Sequence, residues 1–127
     1  TGLETYLART PVAYIQEYLA LDRDMRIVVI GDQVVHAYWR LAAEGEYRSN
    51  VSVGGSISLE KVPAEAQALA LHTARVCGWN DVGIDICENR GRFQVLEANM
   101  KYGKEGFRQA GIDYIRLMEE MIDNGAI

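Results

Sequence analysis

Two carboxylates and an amide stand in short β-rich runs in the last third of this 127-residue chain. Asp85 lies in Val82-Gly83-Ile84-Asp85-Ile86, and Glu97 and Asn99 lie in Val95-Leu96-Glu97-Ala98-Asn99. The intervening Glu88-Asn89-Arg90-Gly91-Arg92 is turn-like. Side chains alternate along a strand, so Glu97 and Asn99 share a face, and pairing the two runs as a hairpin can bring Asp85 to the same side. Three such oxygen donors suit a hard cation such as Mg²⁺, which binds few protein oxygens and completes its shell with water and phosphate. A phosphorylated ligand is then implied. The plainer alternative is a solvated sheet face beside a turn.

Other polar groups interrupt apolar runs ahead of this hairpin. In order they are Gln16-Glu17-Tyr18, Asp24-Met25-Arg26, Arg40, and Glu44-Gly45-Glu46-Tyr47-Arg48-Ser49-Asn50. Arg23, Arg26, Arg40 and Arg48 are interleaved with Asp22, Asp24, Glu44 and Glu46, which is the pattern of a site and not of a charged surface.

The elements that must position these groups read as α+β, a mostly antiparallel sheet backed by helices. Leu3 to Ala8 is a short helix, and Pro11 restarts the chain into a β-rich run ending at Glu17-Tyr18. Arg26 to Ile30 and Val34 to Trp39 flank Gly31-Asp32-Gln33 as a β-hairpin. The long connection from Leu41 to Gly55 points to function, and a strand follows it. Pro63 to Cys77 is an alanine-rich helix closed by Gly78, and Phe107 to Asp123 is a final helix with Ile112, Ile115, Met118 and Ile122 on its core face. His36 and His72 read as packed or surface side chains and Cys77 and Cys87 as structural thiols, with no zinc spacing.

Composition bounds the rest. At 49% hydrophobic residues the chain supports one domain over residues 1–127. A net charge of -5 argues against nucleic acid as a partner, so an anionic ligand must be held locally. No apolar run approaches a membrane span and the N-terminus lacks the basic cluster and apolar segment of a signal peptide, so a cytoplasmic setting without a membrane partner is expected. A chain starting at Thr1 is expected to be processed or cut from a longer protein.

In this order and spacing, the motifs resemble the C-terminal lobe of the ATP-grasp ligases, within them the RimK-type glutamate ligases and their glutathione-synthase-like relatives. Gln16-Glu17-Tyr18-Leu19 is similar to the hinge strand, Asp24 to Gly31 to the DIRxxVVG strand, and Glu44 to Asn50 to EGxFRSN. Gly83-Ile84-Asp85-Ile86 and Leu96-Glu97-Ala98-Asn99 complete the set, which covers nearly the whole chain.

The resemblance implies an ATP- and Mg²⁺- (or Mn²⁺-) dependent carboxylate–amine ligase working through an acyl phosphate. Its substrates would be an amino acid, peptide or protein, and it admits a homo-oligomer. It implies that Glu17 and Tyr18 hold adenine and ribose, that Asp24 is a further nucleotide contact, and that Arg48, Ser49 and Asn50 lie along the phosphates. Asp85, Glu97 and Asn99 would be the metal ligands. Arg26, Arg40 and Arg48 would be the catalytic cations for the transferring phosphoryl group, the substrate carboxylate or the oxyanion. The lobe that would carry a phosphate-binding lysine and a glycine-rich flap is not found before Glu17, so a fragment that is inactive alone is expected. The competing expectation is a nucleotide-binding or interaction module without ligase activity. Three departures stand out. Met100-Lys101-Tyr102-Gly103 follows Asn99 where a small residue, serine, proline and glycine are usual, Val51-Ser52-Val53 replaces a basic stretch, and Asp22-Arg23 tightens the hinge loop.

Overall fold

Alternation along one strand divides the molecule into two faces. In the computed structural model, which describes residues 2–44 and 54–127, β1 (Arg23–Ile30) is buried along nearly its whole length. Met25, Ile27 and Val29 point one way, into an apolar core. Val28 and Ile30 point the other way, into a second apolar cluster. Asp24 and Arg26 share the parity of that second face.

The strand is central because both of its edges are paired. β2 (Gln33–Leu41), β3 (Ser56–Ser58), β4 (Asp81–Asn89) and β5 (Arg92–Asn99) complete a five-stranded sheet in the order β3-β2-β1-β4-β5, antiparallel at every junction. The β4–β5 turn is Arg90-Gly91, with φ of 53° and 74°. Two central residues at positive φ form the turn whose twist matches that of the flanking strands. The register shifts between Asp85 and Ile86, which leaves Leu96 as an extra residue on β5.

On the apolar face lies α1's larger successor, α2 (Ala64–Cys77); α1 itself is the short exposed helix Gly2–Leu7. Ala66, Ala70 and Ala74 recur every four residues on α2 and are fully buried against Met25, Ile27, Val29, Val82, Ile84 and Ile86. Small side chains on the contact stripe bring helix and sheet close without a void. Pro63 begins the helix, and Gly78, in the left-handed conformation at φ 68°, ends it by donating to the Ala74 and Arg75 carbonyls.

The opposite face carries two shorter helices. α3 (Glu105–Gln109) and α4 (Tyr114–Asp123) place Phe107 and Met121, with Tyr102, over Val28 and Ile30. Asp24, Arg26, Arg40 and Asp85 lie beyond the edge of that cover.

Three expectations need correction. The run at Val12 to Tyr18 is not a strand: Tyr14 is 88% exposed, and Val12, Ile15 and Tyr18 are exposed with it. The described sheet ends at β3 and β5, so β-rich composition there has no pairing neighbour. The final helix is two helices, because Gly111 adopts φ 70° and Asp113 restarts the chain by accepting from the amides of Ile115 and Arg116 at 3.0 and 3.2 Å. That restart rephases the stripe, so Met121 with Leu117 and Met118 faces the core while Ile115 and Ile122 face solvent. Finally, Cys87 is buried as a structural thiol would be, but Cys77 is exposed. Among the described residues, no helix is long and apolar enough to cross a membrane.

Candidate functional site

Register lines up the site across the sheet. One row is Tyr38, Arg26, Asp85 and Glu97, each the Cα partner of the next through β2, β1, β4 and β5. A second row is His36, Val28, Gly83 and Asn99. A third pairs Arg40 with Asp24.

Four charges at the centre are buried, with Asp24, Arg26, Arg40 and Asp85 between 4% and 7% exposed. Arg40 donates through Nε and Nη2 to the two oxygens of Asp24 at 2.7 and 2.8 Å, and its Nη2 also lies 2.8 Å from Asp85 Oδ2. Arg26 grips Asp85 in the same two-pronged way, its Nε on Oδ1 and its Nη2 3.0 Å from Oδ2. Planar guanidinium and carboxylate groups match in this bidentate geometry, and the four formal charges cancel. Burial opposes the Arg40 charge, but Asp24 and Asp85 outweigh it and hold its pKa above the ordinary guanidinium value. Burial also pushes the Tyr38 phenol up, against the pull of Arg26 and Arg40.

The metal-ligand candidates surround this cluster. Asn99 donates its Nδ2 to Asp85 Oδ2 at 3.4 Å, which turns its amide oxygen away from that carboxylate. Glu97 faces Asp85 across β4 and β5 yet is exposed. Among the described residues no three His, Cys, Asp or Glu side chains gather to hold a metal ion, so the expected donors are limited to two carboxylates and an amide.

An oxygen-only set of this kind fits Mg²⁺, with one restriction. A carboxylate has about four lone-pair sites. Among the described residues Asp85 Oδ2 already accepts from Arg26, Arg40 and Asn99, whereas Oδ1 accepts only from Arg26. Glu97, the Asn99 amide oxygen and Asp85 Oδ1 are therefore the atoms able to take a cation.

Beside Glu97 lies a cavity of about 630 Å³ lined by Tyr14, Gln16, Glu17, Tyr18, Leu19, Leu21, Leu96 and Glu97. Its size is that of a ligand pocket, and it brings Glu17 and Tyr18 to the same recess as Glu97. Asp24, by contrast, is turned inward onto Arg40. Arg48, Ser49 and Asn50 lie outside the described residues.

Two participants escape a reading of the sequence. The bulge leaves Leu96 41% exposed on the cavity wall. Tyr38 joins the charged row by register with Arg26, and the α3 backbone closes over it: a Cβ on Gly106 would lie 2.3 Å from its ring. A glycine at the start of α3 is the sequence signal for that approach.

Comparison with known proteins places this architecture. Residues 4–123 match the model of the RimK-like ATP-grasp domain. A probable alpha-L-glutamate ligase of Shewanella loihica is 37% identical over 98% of this chain and 42% of its own length, so the chain spans under half of that relative. Among solved structures, the ATP-grasp ligase PsnB complexed with minimal precursor, Mg and ADP superposes with a TM-score of 0.61 at 25% identity, over 83% of this chain and 32% of that one. The D-alanine–D-alanine ligase of Bacillus anthracis complexed with ATP gives 0.54 at 16% identity, over 87% and 38%, a likeness of fold alone. The antiparallel sheet, its charged row and these matches agree: the chain belongs to the RimK-like ATP-grasp family and carries a lobe of the ATP-grasp ligase fold.

Proposed function

We propose that these residues are the nucleotide- and metal-binding lobe of an ATP-dependent, cytoplasmic carboxylate–amine ligase that joins an amino acid such as glutamate to a peptide or protein. The observation that carries this reading is the row Tyr38, Arg26, Asp85 and Glu97 ending at a cavity lined by Glu17 and Tyr18. Support comes from the glutamate-ligase relative and from PsnB, whose complex holds Mg, ADP and a minimal precursor. A chain spanning 42% of its relative also supports a clamp whose other lobe lies outside these 127 residues.

The chemistry needs no protein nucleophile. A carboxylate oxygen attacks the γ-phosphorus of ATP and ADP leaves; the amine nitrogen then attacks the acyl carbon and phosphate leaves. Such phosphoryl transfer depends on positioning and charge stabilisation. When bound, Mg²⁺ would neutralise charge on the phosphate oxygens.

Asp85, Glu97 and Asn99 would hold the cation. Glu17 and Tyr18 would hold the adenosine, with Leu96 as the apolar floor beneath the base. Arg48, Ser49 and Asn50 would run along the phosphates. Arg26 and Arg40 are buried beside Asp85 and would supply positive charge close to the reacting anions. Asp24 would act from behind, by holding the Arg40 guanidinium in plane.

The test is ADP release by the full-length gene product with ATP, Mg²⁺ and panels of amino acids and peptides, with hydroxylamine added to trap an acyl phosphate as its hydroxamate. Carboxylate-dependent ADP release with hydroxamate formation is expected. Mn²⁺·ADP binding without any ADP release across the panels would instead favour the non-catalytic nucleotide-binding module.

A further inference from the structure

The chain does not leave β5 for solvent. Beyond Asn99 it folds back over the sheet, and Tyr102 is buried above Gly83. A Cβ at position 83 would lie 2.9 Å from Tyr102 Cβ and 3.0 Å from Arg26 Cδ, so these two side chains divide the space the glycine leaves. Gly83 is also the Cα partner of Asn99, the last residue of β5. Tyr102 therefore stands where the end of the metal-ligand strand meets the arginine that grips Asp85.

Three contacts hold it there. Its hydroxyl donates to Asp81 Oδ1 at 2.6 Å, and lies 3.4 Å from the hydroxyl of Tyr114 on α4. The Lys104 ammonium sits 3.6 Å from the centroids of both the Tyr102 and Tyr114 rings. A cation shared by two ring faces ties the loop to α4, and the Asp81 bond ties it to β4. Strand ends open easily unless something packs on them, and here the packing is this tyrosine.

We propose that Tyr102, anchored by Asp81 and by the Lys104 cation, is a positioning residue that fixes the end of β5 and with it the place of Asn99 beside Asp85. This rests on the ligase reading above. Tyr102 touches no reacting atom; it acts through Asn99. The segment Met100-Lys101-Tyr102-Gly103 thus gives the site, by aromatic packing, the rigidity it needs beyond Asn99.

The experiment is a Mn²⁺ titration by electron paramagnetic resonance on the full-length gene product with ADP, alongside thermal melts. Tyr102→Phe, which keeps the ring and loses the Asp81 bond, is expected to weaken Mn²⁺·ADP binding about 10-fold, the usual scale for a residue that orients a metal ligand. Lys104→Met is expected to weaken it in the same direction and Lys104→Arg to restore it, because arginine keeps the cation over the rings. In an Asn99→Ala background, Tyr102→Phe is expected to add little.

Parent-like affinity in both Tyr102→Phe and Lys104→Met overturns the proposal even if the melting temperature falls, since the network would then serve stability alone. Full additivity with Asn99→Ala also overturns it. If Tyr102→Phe does not fold, the Lys104 pair decides, because Lys104 is exposed. A parent that binds no Mn²⁺·ADP at all fails the ligase reading itself, a result distinct from a parent that binds and variants that match it.

Discussion

Asp85 and Glu97 are Cα partners on neighbouring strands, yet Asp85 is buried under two guanidinium groups while Glu97 opens onto the cavity that Glu17 and Tyr18 line. One carboxylate is thus oriented by the protein and the other is left for a ligand. In the proposed cation site Asp85 would give a fixed charge and Glu97 an accessible donor.

If Glu97 is that donor, Glu97→Gln is expected to weaken Mn²⁺·ADP binding by more than the about 10-fold typical of losing an outer-sphere partner. Because the side chain is exposed, stability should stay within about 0.5 kcal/mol of the parent. Titration of the full-length protein with Mn²⁺ and ADP checks both. Unchanged affinity would reduce Asp85, Glu97 and Asn99 to a sheet face.

The buried quartet makes a different demand. Asp24→Ala removes one of its two negative charges and leaves Arg40 sharing Asp85 with Arg26, so a loss of about 3–5 kcal/mol is expected. Denaturant unfolding with an unchanged slope would report this as lost stability. A loss below about 1 kcal/mol would mean that solvent reaches the cluster and screens it.

Leu96 should behave in the opposite manner. Leu96→Ala is expected to weaken ADP binding about fivefold, near 1 kcal/mol for the apolar area lost from a partly exposed side chain, with little change in melting temperature. Isothermal titration calorimetry compares the two proteins. A fall in melting temperature with intact affinity would move Leu96 from cavity wall to core.

His36 supplies a pH signature of the α3 cover. Burial lowers its pKa from the usual 6.5, although its Nε2–H donates to the Gly106 carbonyl at 3.0 Å; Tyr38 and Phe107 pack against the ring. The folded state therefore binds this proton less readily than the unfolded chain does. Its contribution to stability is complete above the unfolded value of about 6.5, and falls as pH drops from there toward the lowered folded value. Unfolding followed between pH 5 and 8 should show that slope, and His36→Gln should remove it. An identical slope in the variant would assign the effect to other groups.

Alternation and punctuation made much of this molecule legible. Val28, Val29 and Ile30 before Gly31 marked β1, the alanines before Gly78 marked α2, and Arg90-Gly91 marked the β4–β5 turn, because each signal is local. The types and order of Asp85, Glu97 and Asn99 raised hard-cation chemistry as an expectation once the two runs pair as a hairpin. Tertiary structure alone decided that the run around Tyr14 would find no partner strand and that Gly111 would split the last helix and turn Ile115 outward. It also decided that Leu96 would be bulged into the cavity and that Arg26 and Arg40 would converge on one carboxylate. Periodicity reports which face a residue prefers. Register across four strands, and the close approaches allowed by Gly83 and Gly106, determine which residues meet on that face, and those depend on contacts far apart in the chain.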